Sequence, residues 1–457
     1  MYTLIAIAGL GIICLIAEIF NLRKAIIPVT ILGLFGTLAL TVADYNKVQT
    51  YYNNMIITDN YSVSFSCLFI VLTIFLVALS GDFHKEHKAK ISDFIAIKLF
   101  LLTGAIAMIS FGNMAMFFLG IEILSIALYV LAASQPKNIK SNEAGMKYFL
   151  MGAFASGFIL FGIALIYGAT GSFDTHAIYG TLLEGTNVPG WFFIGIVMLS
   201  IGLLFKIAAV PFHFWAPDVY EGSPALTTAT MSTLVKVAAI AAFFKLMVSI
   251  NRTVPGSYIT VISIVSILSM TVGNLTALVQ TNVKRMLAFS GISHAGFMLM
   301  VFFNPTHTAG TLLYYATAYA LAGIAAFAVI LAVCGDKGNE EVYNFNGLGK
   351  KNPLMAAILT CSLLSMAGIP IFSGFFGKFF LFQEVLSTNH VAIVIIAIIN
   401  SIISVGYYFK LILAMYTKED TSEKQSVPVM YTIVAVLSIL LNIAIGLYPS
   451  FVLGRLG

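Results

Sequence analysis

Val197-Met198-Leu199-Ser200-Ile201-Gly202-Leu203-Leu204-Phe205-Lys206-Ile207-Ala208-Ala209-Val210-Pro211 is an apolar run with one lysine in it and a proline at its end. A charge at bilayer depth costs at least about 2.5–3.5 kcal/mol on insertion scales, so a chain keeps one there mainly when the charge is used. Glu122, Lys236 and Lys378 fall inside long apolar runs in the same way. A row of buried titratable groups with no redox residues beside it reads as a path for protons or cations.

The rest of the chain agrees with a membrane setting. Its 457 residues are 60% apolar and 9% charged, against roughly 25% charged in soluble domains, and the mean hydropathy is +0.97. Apolar runs near the roughly 20 residues needed to cross hydrocarbon recur throughout. They predict an all-α polytopic membrane protein with fourteen spans: 2–20, 25–43, 62–80, 92–110, 113–133, 144–170, 191–211, 224–250, 256–279, 286–303, 308–334, a broken 354–386, 391–416 and 427–448. The lipid bilayer is one partner. The formal charge of +5 reflects loop lysines and not a nucleic-acid surface.

Cys14, Cys67, Cys334 and Cys361 form no CxxC pair, so neither disulfide nor metal use is expected. His84-Lys85-Glu86-His87 reads as a solvated charged loop. Without a dinucleotide, phosphate-loop or haem motif in context, the chain is expected to hold no cofactor and carry no electrons. The apolar N-terminus has no small-residue cleavage site after it and reads as a retained first helix.

Lysine and arginine orient the spans. One set of alternate loops holds fifteen: Arg23, Lys24, Lys85, Lys88, Lys90, Lys137, Lys140, Lys147, Lys284, Arg285, Lys337, Lys350, Lys351, Lys418 and Lys424. The other holds Lys47, Arg252 and Arg455. The first set is cytoplasmic and both termini face outward. One cytoplasmic connection differs. Phe212-His213-Phe214-Trp215-Ala216-Pro217-Asp218-Val219-Tyr220-Glu221-Gly222-Ser223-Pro224 has no Lys or Arg, and its prolines and aromatics suggest a rigid, packed corner.

An internal echo joins two spans. Ala208-Ala209-Val210-Pro211-Phe212 resembles Ala367-Gly368-Ile369-Pro370-Ile371-Phe372, each with a proline that breaks the helix and a lysine close by. The prolines are 159 residues apart, about five spans. An odd number of spans inverts one unit relative to the other, and inverted repeats with interrupted helices build midplane ion sites in many transporters.

Glu122 lies about nine residues from the nearer end of its span, too deep to reach water at 1.5 Å per residue. Lys206, one turn before a proline break where freed carbonyls and water can solvate an ammonium, is its natural partner. Paired, the lysine holds its proton; unpaired, it passes the proton on. A static ion pair that only fixes helix packing is the other reading. Lys236 follows a hydroxyl-rich run, Thr227 to Thr233, that suggests a wet, irregular helix, although such residues also serve close helix packing. Glycines 374 and 377 allow a local break beside Lys378, which could end the path, with Glu384 a weaker charge partner. His294 either relays between Lys236 and Lys378 or bonds a hydroxyl. Lys98, Lys245 and Lys410 read as residues near span ends, and His213 as structural.

The corner motif, with Phe205-Lys206 before it, resembles the signature of the antiporter-like membrane subunits of respiratory complex I. Lys147-Tyr148-Phe149, Gly152-Ala153-Phe154-Ala155-Ser156-Gly157, Tyr167-Gly168-Ala169-Thr170-Gly171-Ser172 and Gly374-Phe375-Phe376-Gly377-Lys378 are similar to the same family. Ser223 and Ala225 depart from its more usual corner residues. The resemblance implies fourteen helices, with inverted five-helix units over 91–250 and 251–416, three helices over 1–90 and a last helix over 417–457. It implies Glu122 and Lys206 as controlling pair, Lys236 as relay and Lys378 as terminal lysine. It implies a proton-translocating role in the bacterial inner membrane beside other membrane-arm subunits, with FMN, iron–sulfur clusters and quinone in partner subunits. A subunit of a multi-subunit cation/proton antiporter is the alternative, and a structural scaffold the third reading.

Overall fold

The computed structural model describes residues 1–87, 91–183, 188–250, 256–335, 339–418 and 426–456. Lys88, Lys90, Arg252, Lys337 and Lys424 lie outside them.

Two helices open the chain, α1 (Tyr2–Ile19) and α2 (Arg23–Ala43), followed by a short antiparallel pair, β1 (Gln49–Tyr51) and β2 (Ile56–Thr58). Then come α3 (Asn60–His87), α4 (Ile91–Ile109), α5 (Met114–Ala132), α6 (Ile139–Thr170), the short α7 (Thr175–Leu183), α8 (Trp191–Lys206) and α9 (Trp215–Gly222). The next span is one rod in three parts: α10 (Ala225–Thr230), a π-helical turn at Met231–Val235, and α11 (Lys236–Ile250). The second half holds α12 (Gly256–Leu278), α13 (Val283–Leu299) with a 3-10 turn at Met300–Phe303, and α14 (Ala309–Cys334). The short α15 (Leu348–Lys351) leads to α16 (Pro353–Ala367), α17 (Ser373–Ser387), α18 (Val391–Thr417), α19 (Val429–Leu447) and α20 (Ser450–Leu453).

Twelve described helices are long and apolar enough to cross a membrane, and two shorter ones, Trp191–Lys206 and Pro353–Ala367, belong to broken spans. All fourteen expected spans are present. Asparagine caps start several of them: Asn113, Asn138, Asn282 and Asn352 each accept from a backbone N–H of the first turn, meeting donors that a helix start otherwise leaves orphaned. The centre of the bundle is the stretch Val283–Phe303, wholly buried, with α14 and the α10–α11 rod around it, whereas α1 and α2 are about one-third buried or less. The helices that bear Lys236 and His294 are therefore those shielded from lipid.

Both breaks have one local design. Ala208 takes a left-handed φ of 59°, and Ala209 N–H bonds Leu204 O at 2.9 Å. Gly368 takes φ 89°, and Ile369 N–H bonds Leu364 O at 3.0 Å. A left-handed residue with a bond reaching back five residues closes a helix, and a proline two or three residues on prevents its resumption.

The corner is packed, as expected, and residues 215–222 of it form α9, which lies against α6 and α13. Three expectations need correction. His84 is part of α3, buried and stacked on Phe94 at 4.6 Å, so it is not in a solvated loop; the side chains of residues 85–87 lie outside the described set. Lys98 is buried and donates to Ser80 Oγ at 2.6 Å. Lys245 is ion-paired with Asp59 at 3.1 Å and also donates to Ile109 O.

Candidate functional site

Glu122 sits midway along α5, half-buried, and accepts a hydrogen bond of 2.5 Å from Ser156 Oγ of α6. Helix α8 packs on α6 at backbone distance, since a Cβ on Gly162 would stand 2.6 Å from Gly195 O. This close approach places Lys206, the last residue of α8, within reach of α5. Its ammonium donates to Ser125 Oγ at 2.6 Å and to Tyr129 OH at 3.4 Å. Ser125 is three residues after Glu122, so one turn of α5 carries both the carboxylate and the acceptor of the lysine. Glu122 and Lys206 are not within ion-pair distance; they meet through this turn.

The carbonyl of Phe205, at the break, accepts from Ala208 N–H at 3.0 Å and from Trp215 Nε1 at 3.0 Å. Trp215 stacks between Phe205 and Tyr148, and Tyr148 packs edge-on against Tyr129. On its other side Trp215 meets Tyr220, whose ring lies 5.9 Å from Lys236 Nζ. A continuous aromatic wall thus runs from the first buried lysine to the second.

Lys236 begins α11 just after the π-helical turn, 2% exposed. Its ammonium is buried without a hydrogen-bond partner. It points at Gly291, where a Cβ would stand 2.6 Å from Nζ and 3.1 Å from Tyr319 OH. Only a residue without a side chain leaves that space open. The hydroxyl run before Lys236 serves two purposes. Thr227, Thr228, Thr230 and Thr233 donate to backbone carbonyls, while Ser232 bonds Tyr319 OH at 3.2 Å.

His294 lies one turn beyond Gly291, 4% exposed. Its Nδ1 bonds Tyr315 OH at 2.8 Å and its Nε2 bonds Tyr408 OH at 3.2 Å. Tyr408 OH also meets Ser290 Oγ at 2.5 Å. The imidazole therefore joins two hydroxyls, one on α14 and one on α18, through opposite nitrogens. Lys378 follows, with its ammonium 4.8 Å from the ring centroid of Phe297, three residues after His294. It donates to Ala367 O at 2.9 Å, Met366 O at 3.2 Å and Ser401 Oγ at 2.8 Å. Glu384 is not its partner, because that carboxylate accepts from Asn304 at 3.0 Å. Lys410 donates to Gln280 O at the end of α12.

At one membrane end α9 is tied down by charge. Asp218 accepts from Arg285 at 2.7 Å and Lys147 at 3.3 Å, and Glu221 meets Arg285 at 3.2 Å. Burial pushes the Asp218 carboxyl up, but Arg285 and Lys147 outweigh it and hold the group below its ordinary value. Lys284, counted from sequence as a loop cation, is buried with Glu340 at 3.0 Å and donates to Ser223 O.

The sequence reading missed the hydroxyl partners Ser125, Tyr129, Ser156, Ser290, Tyr315, Tyr319, Ser401 and Tyr408. Tyr315 and Tyr319, one turn apart in an apolar span, were the available signal. Among the described residues no group of three or more His, Cys, Asp or Glu could hold a metal ion.

Broken helices, buried lysines and a carboxylate one turn from the acceptor of the first of them define a class of membrane subunit. Residues 112–404 match the family described as NADH:quinone oxidoreductase/Mrp antiporter, transmembrane, and the chain belongs to this family. Among full-length relatives, NADH-quinone oxidoreductase subunit N of Flavobacterium johnsoniae is 65% identical, with all of both chains covered. Subunit N of Cytophaga hutchinsonii is 46% identical over 99% of each. A chain of respiratory complex I from Thermus thermophilus with bound aureothin superposes with a TM-score of 0.86 at 30% identity, covering 100% of this chain and 99% of that one.

Proposed function

We propose that this chain is the subunit N of a proton-translocating NADH–quinone oxidoreductase, a non-redox part that moves protons while flavin and iron–sulfur partners deliver electrons to quinone. The observation that carries the reading is the row of ionisable groups, half-buried Glu122 and buried Lys206, Lys236, His294 and Lys378, with hydroxyls beside them from α5 to α18. A charge or shape change from neighbouring membrane-arm subunits is felt at Glu122. It alters how strongly Lys206 is held against Ser125 and Tyr129, and Lys206 gives up or regains its proton. Water along the aromatic wall carries the proton to Lys236. Gly291, Tyr319 and Ser232 leave room there for the ammonium to swing. His294 then exchanges one proton for another between Tyr315 and Tyr408, since each ring nitrogen faces a hydroxyl that both donates and accepts. Lys378 ends the row.

In this reading the chain sits in the bacterial inner membrane with both termini on the outer side, an orientation that the bias of loop cations supports. Residues 91–250 and 251–416 act as inverted units, and their like-capped breaks support that division.

The test is to tag the chain, purify it from its own membranes in mild detergent, and assay the co-purifying material. An iron–sulfur-containing NADH–quinone reductase is expected. Recovery with only other membrane subunits, and sodium-dependent antiport without quinone reduction, would replace this reading with the antiporter one.

A further inference from the structure

A groove of about 590 Å³ opens on the membrane face that carries both chain ends. Its walls and floor are apolar: Val63 and Val71 of α3, Leu313 and Leu321 of α14, and Leu441 and Ile445 of α19. At its mouth stands Arg455, just past α20. The guanidinium lies 5.7 Å over the ring of Tyr45 and 5.1 Å over that of Phe451, while Tyr45 OH donates to the Arg455 carbonyl at 2.8 Å. Among the described residues no carboxylate pairs with this arginine.

We propose that this groove binds one anionic phospholipid, with an acyl chain along α3 and α14 and the headgroup phosphate on Arg455. Length separates a lipid from the other apolar occupant, a helix of a partner subunit. The lining runs eight residues along α3 and eight along α14, about 12 Å at the helical rise. One leaflet of a hydrocarbon core roughly 30 Å thick is about 15 Å deep. A crossing helix needs a seat through both leaflets, and this seat stops within one. Charge points the same way. A guanidinium near two aromatic rings and, among the described residues, free of any protein carboxylate matches the fork of a phosphate.

The test uses the full chain in detergent micelles, offered phosphatidylglycerol or phosphatidylcholine and followed by native mass spectrometry. One tightly held phosphatidylglycerol is expected, preferred about fivefold over phosphatidylcholine. Arg455→Gln abolishes the preference, and Cys67→Phe, which fills the groove wall, lowers retention of both lipids. A second readout needs no variant: Cys67, which lines the groove, is labelled with a maleimide in detergent, and phosphatidylglycerol shields it at about fivefold lower concentration than phosphatidylcholine does. A preference that survives Arg455→Gln overturns the proposal. So does shielding of Cys67 at the same concentration of both lipids, or its shielding by a partner subunit in a delipidated intact complex.

Discussion

The two helix breaks close in the same way and use their lysines oppositely. At the first, the Phe205 carbonyl at the end of α8 is met by Ala208 N–H and by the indole of Trp215. Lys206 is spared that duty, and its ammonium reaches across to the hydroxyls of Ser125 and Tyr129. At the second, no indole stands by. The carbonyls of Met366 and Ala367 are met by Lys378 itself, from the helix that follows the break. Hydroxyls donate as well as accept, so they can pass a proton onward; carbonyls only accept. The first lysine therefore rests on hydroxyls alone, whereas the second is anchored by two carbonyls beside its one hydroxyl, Ser401 Oγ. A shared backbone design has been given two chemical ends by one tryptophan.

Substitutions can break this contrast. Lys378→Met strands the buried Met366 carbonyl and leaves Ala367 O with Ser401 Oγ alone, at 3.2 Å. A loss of about 1–3 kcal/mol in stability is expected, read as a lower unfolding temperature in detergent. Lys206→Met leaves Phe205 O with its indole and Ser125 Oγ donating to Ile121 O, so its loss is smaller. Equal losses would refute the contrast. Trp215→Phe sharpens it, since removing one neutral donor costs about 0.5–1.5 kcal/mol. The Phe205 carbonyl, left with Ala208 N–H as its partner, should then draw the Lys206 ammonium away from Ser125 and slow pumping at unchanged quinone reduction. Unaltered pumping would show that the indole does not position the lysine.

The smallest effect concerns the base of α9. Asp218 has its carboxyl held low by Arg285 and Lys147, so its stabilisation is complete above the unfolded carboxylate value and is lost as pH falls through the folded one. Asp218→Asn should lower the unfolding temperature by an amount worth less than about 1 kcal/mol for so exposed a group. The gap to the parent should narrow as pH falls below about 3.9. A gap that widens in acid would mean that the ion pairs do not hold α9.

The spans and both breaks were legible because long apolar runs and the two echoing prolines carry that information locally. Helix α9 was not, because Pro217 beside Asp218 and Glu221 reads as a corner; in the structure Pro217 falls in the first helical turn, where its missing N–H costs little. Lys98 was read as near a span end, yet α3 runs past residue 80 and covers it with Ser80. The buried charges announced themselves by their cost in an apolar run. Their partners did not, since a serine or tyrosine in a span costs little and serves packing equally well. The direct Glu122–Lys206 pairing expected from charge alone is replaced by a carboxylate held by Ser156 and a lysine held by Ser125, which only the packing of α5, α6 and α8 decides.

The central claim is that Lys206 takes its proton through the hydroxyls beside Glu122. The most direct measurement is protons moved per electron in proteoliposomes that hold the intact complex, with the native chain, Lys206→Ala, and Ser125→Ala with Tyr129→Phe. The expected result is quinone reduction that continues with a clearly lower ratio in Lys206→Ala and an intermediate ratio when the hydroxyls are removed. An unchanged ratio in Lys206→Ala would contradict it.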